Sequence, residues 1–167
     1  MHRNTYVRVR LREKEKRQMV SFRKLQAEDV EVLAAMAKEC FSVPWTAKAF
    51  ADLVSDDKSI YLVAVKDGEV VGCCGVVNSF GDGSIDIVMV TEKERGNGIA
   101  YAMLQELFVV GESIGVENFT LEVRVSNAPA IHIYEKLGFV SAGIRPKFYE
   151  KPVEDAMIMW KYKKAAE

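Results

Sequence analysis

A short glycine-containing loop between a strand and a helix limits the possible folds of this 167-residue chain more than any other feature. Segment 84–90 is rich in β-branched residues and predicts a strand. Arg95–Ala100 (Arg-Gly-Asn-Gly-Ile-Ala) follows, and an apolar repeat from Ile99 predicts a helix to about Ser113. Glycines let the backbone approach a ligand closely, and the first N–H groups of a helix have no partner within it. We therefore expect an anion site here, suited to phosphate or pyrophosphate.

Hydrophobic periodicity elsewhere predicts seven strands and four helices. The predicted strands are 20–25, 60–65, 69–77, 84–90, 119–125, 139–144 and 156–160. The predicted helices are 29–40, one that begins at the N-cap Thr46, 99–113 and 127–137. Turn signals at Asp67-Gly68 and at Gly81-Asp82-Gly83 join the middle strands into an antiparallel meander. This order predicts an α/β fold (an α+β mixed sheet), with a central, mostly antiparallel sheet, one parallel crossover and flanking helices.

The third predicted helix has an apolar stripe that should face the sheet. The stripe consists of Ile99, Met103, Leu107, Val110 and Ile114. Gly115 fits the position after the helix end, and Gly138 ends the last predicted helix in the same way.

Cysteine and histidine usage limits the available chemistry. The chain has three cysteines, and Cys73 and Cys74 are adjacent, which makes neither a disulfide framework nor a C-x-x-C metal site. With only His2 and His132, a histidine-based metal site or a Ser-His triad is poorly supported. We expect no metal and a reducing, cytoplasmic setting. Cys73 and Cys74 are expected to be strand residues and His132 a surface residue.

Charge is unevenly distributed along the chain. Residues 1–24 hold nine Lys and Arg residues against Glu13 and Glu15, which leaves 14 basic and 22 acidic residues in the remainder. An acidic body attracts a basic substrate and repels nucleic acid, so no direct nucleic-acid binding is expected. We predict a basic N-terminal extension, 1–19, ahead of a single domain, 20–163. The extension is expected to be solvated, with RNA or ribosome contact as the alternative.

Two sequence features bear on membranes. No apolar run approaches the ~20 residues of a membrane span, so no membrane partner is expected. The charged N-terminus does not have the pattern of a secretory signal. The sequence leaves the oligomeric state open.

Three kinds of site use a glycine loop like Arg95–Ala100. A Walker A loop needs Gly-Lys-Ser/Thr, whereas Ile99 and Ala100 follow Gly98. A dinucleotide-binding fingerprint needs a third glycine where Tyr101 stands, although Glu122 could serve as its ribose-binding acid. The R/Q-x-x-G-x-G/A loop of acetyltransferases fits at every specified position. An ordinary glycine-containing turn is the remaining alternative.

A second segment is more specific than the loop. Leu121–Asn127 (Leu-Glu-Val-Arg-Val-Ser-Asn) is followed by Ala130, Tyr134 and Gly138-Phe139. With these residues the sequence resembles the GNAT family of acetyltransferases, and within it the RimI-type ribosomal-protein-alanine N-acetyltransferases. The resemblance implies the GNAT fold and extends from Phe22 to Trp160.

Other segments carry the same resemblance, with some departures. Pro44–Thr46 resembles the P-W-S/T segment of that family, and residues 144–149 with 154–156 resemble its I-R-x-x-Y-Y and E-D-A segments. Thr91–Lys93 replaces the acidic-or-His-Pro pair that is commoner in the family. Ala100 replaces a commoner glycine, and Phe148 stands where tyrosine is usual.

The resemblance implies acetyl-CoA as the co-substrate. Backbone amides of the strand before the loop would align with its acetyl-pantetheine arm, and one N–H group would stabilise the oxyanion. Asn127 is also expected to cap the following helix. The implied cofactor-binding residues are Val88, Met89, Val90, Arg95, Gly96, Asn97, Gly98, Ile99, Ala100 and Asn127.

The resemblance also implies catalytic and substrate-binding residues. Glu122 would be the general base, acting directly or through water, and Tyr134 the general acid for the departing thiolate. Without the resemblance, Glu122 is the polar member of an alternating strand and Tyr134 a packing residue. Substrate contacts are expected from Trp45, Arg145 and Tyr149, with a core role as the alternative for Trp45.

The function that the resemblance implies is transfer of an acetyl group to a protein N-terminal α-amine. The expected acceptor is the N-terminal alanine of a small-subunit ribosomal protein. One alternative keeps the enzyme class and changes the acceptor to lysine, a polyamine or another small amine. Another alternative is a non-catalytic module that senses CoA. A dinucleotide-dependent oxidoreductase is a distant fourth.

Overall fold

One eight-stranded sheet forms the centre of the molecule. The computed structural model describes residues 5–7 and 19–165. Within those residues the strands are β1 Thr5–Val7, β2 Val20–Lys24, β3 Ser59–Lys66, β4 Glu69–Ser79, β5 Asp82–Val90, β6 Asn118–Arg124, β7 Val140–Tyr149 and β8 Glu154–Lys161. The α-helices of the same residues are α1 Val30–Cys40, α2 Ala47–Leu53, α3 Ile99–Ser113 and α4 Ala128–Lys136. Short 3-10 helices lie at Ala27–Asp29 and Glu92–Glu94. The predicted mixed sheet with one parallel crossover is confirmed.

Strand pairing leaves an opening in the middle of the sheet. The strand order is β1-β2-β3-β4-β5-β6-β8-β7, and β5 with β6 is the parallel pair within the described residues. Only Asp82–Ser84 pairs with Asn118–Thr120, although β5 continues to Val90 and β6 to Arg124. The two strands therefore diverge after three residue pairs and form a fork.

Two apolar cores cover the two faces of the sheet. α3 and α4 pack on one face, where Phe119, Leu121 and Val123 of β6 are buried. α1 and α2 pack on the opposite face, against Tyr61 and other residues of β3, β4 and β5. Because side chains alternate along a strand, Glu122 of β6 points away from the α3 face.

One of the two predicted hairpin turns is shifted. Asp67-Gly68 forms the expected turn, with φ values of 51° and 80°. The second turn consists of Phe80 and Gly81, with φ values of 54° and 98°, so the predicted Gly81–Gly83 turn is wrong in its position. Gly83 already belongs to β5. A Cβ atom there would lie 2.7 Å from a Val116 methyl carbon, so this glycine allows close packing within the sheet.

The buried face of α3 differs from the predicted stripe. Val110 is only partly buried, and Ile114, which follows the helix, is 40% exposed. The helix lies on a broad area of the sheet, so its buried face is wider than a single row of residues. That face consists of Ile99, Ala102, Met103, Leu104, Leu107, Phe108 and Gly111. Gly115 and Gly138 follow their helices with positive φ, as expected.

Two strands depart from the predicted pattern. The backbone of Thr5–Val7 pairs antiparallel with Val20–Phe22, so this part of the predicted solvated extension forms an edge strand. The rest of segment 1–18 lies outside the described residues. At the other edge, β7 extends to Tyr149, five residues beyond its predicted end. None of the helices in 19–165 is long and apolar enough to span a membrane.

A buried ion pair fixes the start of α1 against β2. Asp29 is 2% exposed, and its carboxylate accepts hydrogen bonds from Arg23 Nη1 at 2.7 Å and Nη2 at 2.8 Å. The Gln26 N–H also donates to it, at 2.8 Å. Burial alone would raise the pKa of Asp29, but the bonds from Arg23 and Gln26 outweigh it and lower that pKa.

We predict that Asp29→Asn lowers the free energy of unfolding by about 3 kcal/mol at pH 7, because Arg23 loses its charged partner. The pKa of Asp29 is lower in the folded than in the unfolded state. Its contribution is therefore complete above about pH 4 and is lost as the pH falls through the folded-state pKa. Urea denaturation at pH 7 and pH 3 measures both effects.

Asp52→Asn is the matched control, since Asp52 forms an exposed ion pair with Lys48. Its loss is expected to cost less than about 0.5 kcal/mol. Equal effects of the two substitutions would contradict a special role for the buried pair.

Candidate active site

A cavity of about 1100 Å³ opens between the end of β5, the start of α3 and α4. It is at the upper end of the usual range for small-molecule sites. All ten residues predicted to bind the cofactor line it, and Tyr134 lines it as well. No binding role was predicted for the other lining residues, which are Cys40, Phe41, Glu94, Tyr101, Ala102, Gln105, Pro129, Ala130, His132, Ile133 and Lys136.

The glycine loop leaves the N-terminus of α3 open to this cavity. Gly96 and Gly98 have φ values of 79° and 78°, in the left-handed region that favours glycine. Gly98 is the N-cap of α3, and without a side chain it cannot satisfy the first N–H groups of the helix. These groups and the helix dipole suit the site to an anion.

Two interactions hold the loop in place. Arg95 Nε donates to the Val90 carbonyl oxygen at 3.0 Å, and its Nη2 lies 3.3 Å from Cys40 Sγ. Lys66 Nζ lies 2.7 Å from Glu94 Oε2 in a largely buried ion pair. The Arg95 charge is therefore fixed at the end of β5, beside the open helix terminus.

α4 brings two predicted residues to the same cavity. Asn127 Oδ1 accepts a hydrogen bond from the Ala130 N–H at 3.3 Å, which gives the expected N-cap. Tyr134 is 8% exposed, and its ring packs against Phe139. Burial, and to a smaller extent the neighbouring Tyr149, raise the pKa of Tyr134 above its ordinary value. The phenol therefore keeps its proton throughout the physiological pH range.

A second group of side chains extends from β6 to β7. Glu122 Oε1 lies 3.7 Å from Arg145 Nη1, and the Arg145 guanidinium lies over the Phe148 ring. Arg124 stacks 4.4 Å above the centre of the Tyr149 ring. Burial, followed by the charge of Glu122, raises the pKa of Tyr149. The structure thus brings together Glu122, Arg145 and Tyr149, while Tyr149 also connects this group to Tyr134.

Trp45 lies on the face of the sheet that α1 and α2 cover. It is partly buried, and its ring centre lies 5.6 Å from that of Phe50 and 6.2 Å from that of Tyr61. These contacts place it at the edge of the core under α1 and α2, in agreement with the alternative core role.

Sequence reasoning passed over the pair formed by Tyr61 and Asp86. The Tyr61 hydroxyl donates to Asp86 Oδ2 at 2.5 Å. Burial of its carboxyl end raises the pKa of Asp86 to about 6, although the residue as a whole is exposed. The feature of the sequence that could have indicated this pair is the single carboxylate within the apolar segment Ile-Asp-Ile-Val-Met-Val.

Comparison with known proteins decides the family. Residues 30–139 match the acetyltransferase (GNAT) family. The chain belongs to this family. The chain therefore has the GNAT fold and is an acetyltransferase.

Several GNAT proteins are similar over most of their length. The putative [ribosomal protein bS18]-alanine N-acetyltransferase of Bacillus subtilis is 32% identical over 139 residues, which cover 83% of this chain and 92% of that protein. The Escherichia coli [ribosomal protein bS18]-alanine N-acetyltransferase is 28% identical over 137 residues, covering 81% and 92%. The crystal structure of the E. coli ribosomal-protein-S18-alanine N-acetyltransferase superposes with a TM-score of 0.79 at 28% identity, covering 89% and 97%.

We predict that Arg95→Ala raises the dissociation constant for CoA roughly tenfold, because a fixed charge beside the anion site is lost. The effect should shrink at high salt, since screening weakens the interaction. Isothermal titration calorimetry at two salt concentrations measures both quantities.

Lys93→Ala is the control in the 3-10 helix that precedes the loop, because the Lys93 side chain is 72% exposed. It should leave the dissociation constant within about twofold of that of the unmodified protein, as an exposed charge contributes little. An equal loss in both variants would point to general charge attraction rather than to a fixed contact.

Proposed function

We propose that this GNAT protein transfers the acetyl group of acetyl-CoA to the N-terminal α-amine of a protein, namely the N-terminal alanine of a small-subunit ribosomal protein. The observation that supports it best is the fork between β5 and β6. The fork has Tyr134 and the anion site on the α3 side and Glu122 with Arg145 on the other. The relatives from B. subtilis and E. coli, named for the same acceptor, support the proposal.

The cavity residues fit the groups of acetyl-CoA. The open N-terminus of α3 and Arg95 suit the pyrophosphate, as both are electropositive and fixed. Val88–Val90 has no strand partner on the β6 side among the described residues, so its backbone groups can pair with the amides of a pantetheine arm. Bound acetyl-CoA supplies a thioester as the acetyl donor.

Tyr134 fits the role of general acid. Its phenol lines the cavity, and its raised pKa ensures that the proton is present at neutral pH. A proton given from this oxygen to the departing thiolate would complete the transfer. The packing of its ring against Phe139 holds the hydroxyl in one position.

Glu122 fits the role of general base. An N-terminal amine has a pKa of roughly 7.7–8.0, so about one in ten is neutral at pH 7, whereas about one lysine in a few thousand is neutral. A carboxylate that removes one proton, directly or through a water molecule, is therefore sufficient for an α-amine. Its ion pair with Arg145 is long and partly exposed, so Glu122 remains accessible.

The same geometry suggests where the acceptor binds. Arg145 and Tyr149 flank Glu122, and Trp45 lies across the fork beside Tyr61. A peptide that enters between β7 and α2 would bring its first residue to Glu122.

A ribosomal protein as the acceptor also implies action in the cytoplasm. We treat residues 20–163 as one catalytic domain and assign no role to the basic extension, 1–19.

Acceptors other than an α-amine give the principal alternative. The negative charge of Glu122 would also attract a lysine side chain or a polyamine. A module that only senses CoA is the other alternative, and it would not need Glu122 and Tyr134 in these positions. The experiment below separates all three.

We predict that the protein acetylates a basic peptide with a free N-terminal alanine, and neither its N-blocked, lysine-containing twin nor spermidine. CoA release measures the rate, and mass spectrometry locates the acetyl group. Turnover confined to lysine or spermidine would contradict the acceptor. CoA binding without any turnover would favour the sensing module.

We also predict that Tyr134→Phe and Glu122→Gln each lower kcat by about 100-fold, since each removes one proton-transfer group. Tyr162→Phe and Glu117→Gln are matched controls, because both residues are exposed and neither lines the cavity. Their rates should remain within about twofold of that of the unmodified enzyme, as expected for surface changes. Normal rates in the first two variants would exclude these roles.

A further inference from the structure

Asp86 lies at the point where the fork opens. The last parallel pair joins Ser84 of β5 to Thr120 of β6. Asp86 and Glu122 each lie two residues beyond this pair, on strands that diverge from it. One carboxylate therefore stands on each arm of the fork, and Asp86 precedes the segment proposed to align with the pantetheine arm.

Both carboxylates lie on the same face of the sheet. Glu122 points away from the α3 face, since Leu121 and Val123 on either side of it are buried there. Asp86 accepts its hydrogen bond from Tyr61, whose ring belongs to the core under α1 and α2. The two groups thus face the acceptor side of the sheet.

A β-bulge turns Asp86 towards this face. The pairing of β4 with β5 changes register between Gly75 and Val76, which are opposite Ile87 and Ile85 respectively. Asp86 is the extra residue between them and has no partner on β4. It is exposed, whereas Ile85 and Ile87 are buried. The bulge therefore places a single polar side chain on an otherwise apolar stretch of strand.

The residues around Asp86 suit an ammonium group. A Cβ atom on Gly75 would be 2.1 Å from a carbon of the Tyr61 ring, so this ring lies directly against the Gly75 backbone, and Trp45 packs against the ring. Aromatic rings beside a carboxylate attract a cation by cation–π and ionic interactions together. Within residues 19–165, no basic side chain lies within 4.0 Å of Asp86, in contrast to Glu122.

The remaining titratable neighbours of Asp86 are neutral. Burial and the charge of Asp86 raise the pKa values of both Tyr61 and Cys73, so each keeps its proton at neutral pH. Within residues 19–165, the negative charge of Asp86 is thus not compensated, and an incoming cation would supply the missing partner.

We propose that Asp86 is a specificity-determining residue that binds the acceptor's terminal ammonium group, across the fork from Glu122. This inference rests on the proposed function for its acceptor and adds a binding role that is separate from proton transfer. The ammonium ion is held by Asp86 and the partly exposed Trp45 ring, with the buried Tyr61 hydroxyl fixing the carboxylate, and one of its protons passes to Glu122. No covalent bond forms or breaks at Asp86.

Binding of a free-amine peptide and of its N-acetylated twin, both in the presence of CoA, tests this role. The unmodified enzyme should bind the free amine at least about tenfold more tightly, because only this peptide carries the ammonium charge. Asp86→Asn should reduce this preference to about twofold or less, since the amide accepts from Tyr61 but carries no charge. In kinetics, the same variant should raise KM for the peptide about tenfold while kcat and the affinity for CoA change little.

Asp82→Asn is the matched control, because Asp82 is an exposed carboxylate on the same strand that accepts from Asn118 at 3.0 Å. It should retain the full preference. Asp86→Glu should restore part of the preference lost in Asp86→Asn, which a purely structural role would not do. Thermal unfolding checks that the variants are folded, and Tyr61→Phe, which keeps the charge, should retain most of the preference.

An unchanged preference for the free amine in Asp86→Asn would overturn the inference, even if α-amine acetylation is observed. If the unmodified enzyme acetylates only lysine or spermidine, the proposed acceptor is wrong. The binding comparison is then made with that amine and its acetylated product. A preference that Asp86→Asn abolishes there still supports Asp86 as the ammonium-binding residue, and a preserved preference refutes it.

Discussion

The early end of hydrogen bonding between β5 and β6 is the constraint on which the site depends. Each strand continues beyond the last pair, so backbone N–H and C=O groups that would normally bond across a sheet are left without a strand partner. Buried backbone groups of this kind are costly unless a ligand or water satisfies them. A pantetheine arm with its own amides offers such partners, and its entry would complete the ladder on β5.

The fork also separates two opposite electrostatic environments. On the α3 side, Arg95 and the open helix terminus are positive and suit the phosphates. On the other side, Asp86 and Glu122 are negative and suit an amine. The sheet lies between them, so in the proposed function the two substrates would approach from different faces and meet where the strands diverge. This arrangement would keep the acceptor's cation away from the phosphates, with which it would otherwise pair.

Local sequence signals were sufficient for most of the fold and for the loop and cap that line the cavity. The glycine loop, the Asn127 cap and the order of elements from β2 to β8 depend on residues close in sequence and were predicted correctly, whereas the edge strand β1 was not predicted. The acceptor side depends on long-range register. From the sequence pattern, Asp86 is an ordinary polar residue of an alternating strand. In the structure, the bulge against β4 turns it towards Tyr61, which is 25 residues away. The second turn was predicted in the wrong position for a related reason, because Gly83 is required by packing against Val116 rather than by a turn.

The two ion pairs near the site differ in a way that suits their different tasks. Lys66 and Glu94 are 11% and 15% exposed at 2.7 Å, and a desolvated pair of this kind keeps the loop in one position. Arg145 and Glu122 are 53% and 32% exposed at 3.7 Å, so this pair is worth at most about 1 kcal/mol. In the proposed function, an acceptor amine would therefore displace Arg145 from Glu122 at little cost. The rigid pair would serve a cofactor that always has the same phosphates, whereas the weak pair would leave Glu122 free for an incoming amine.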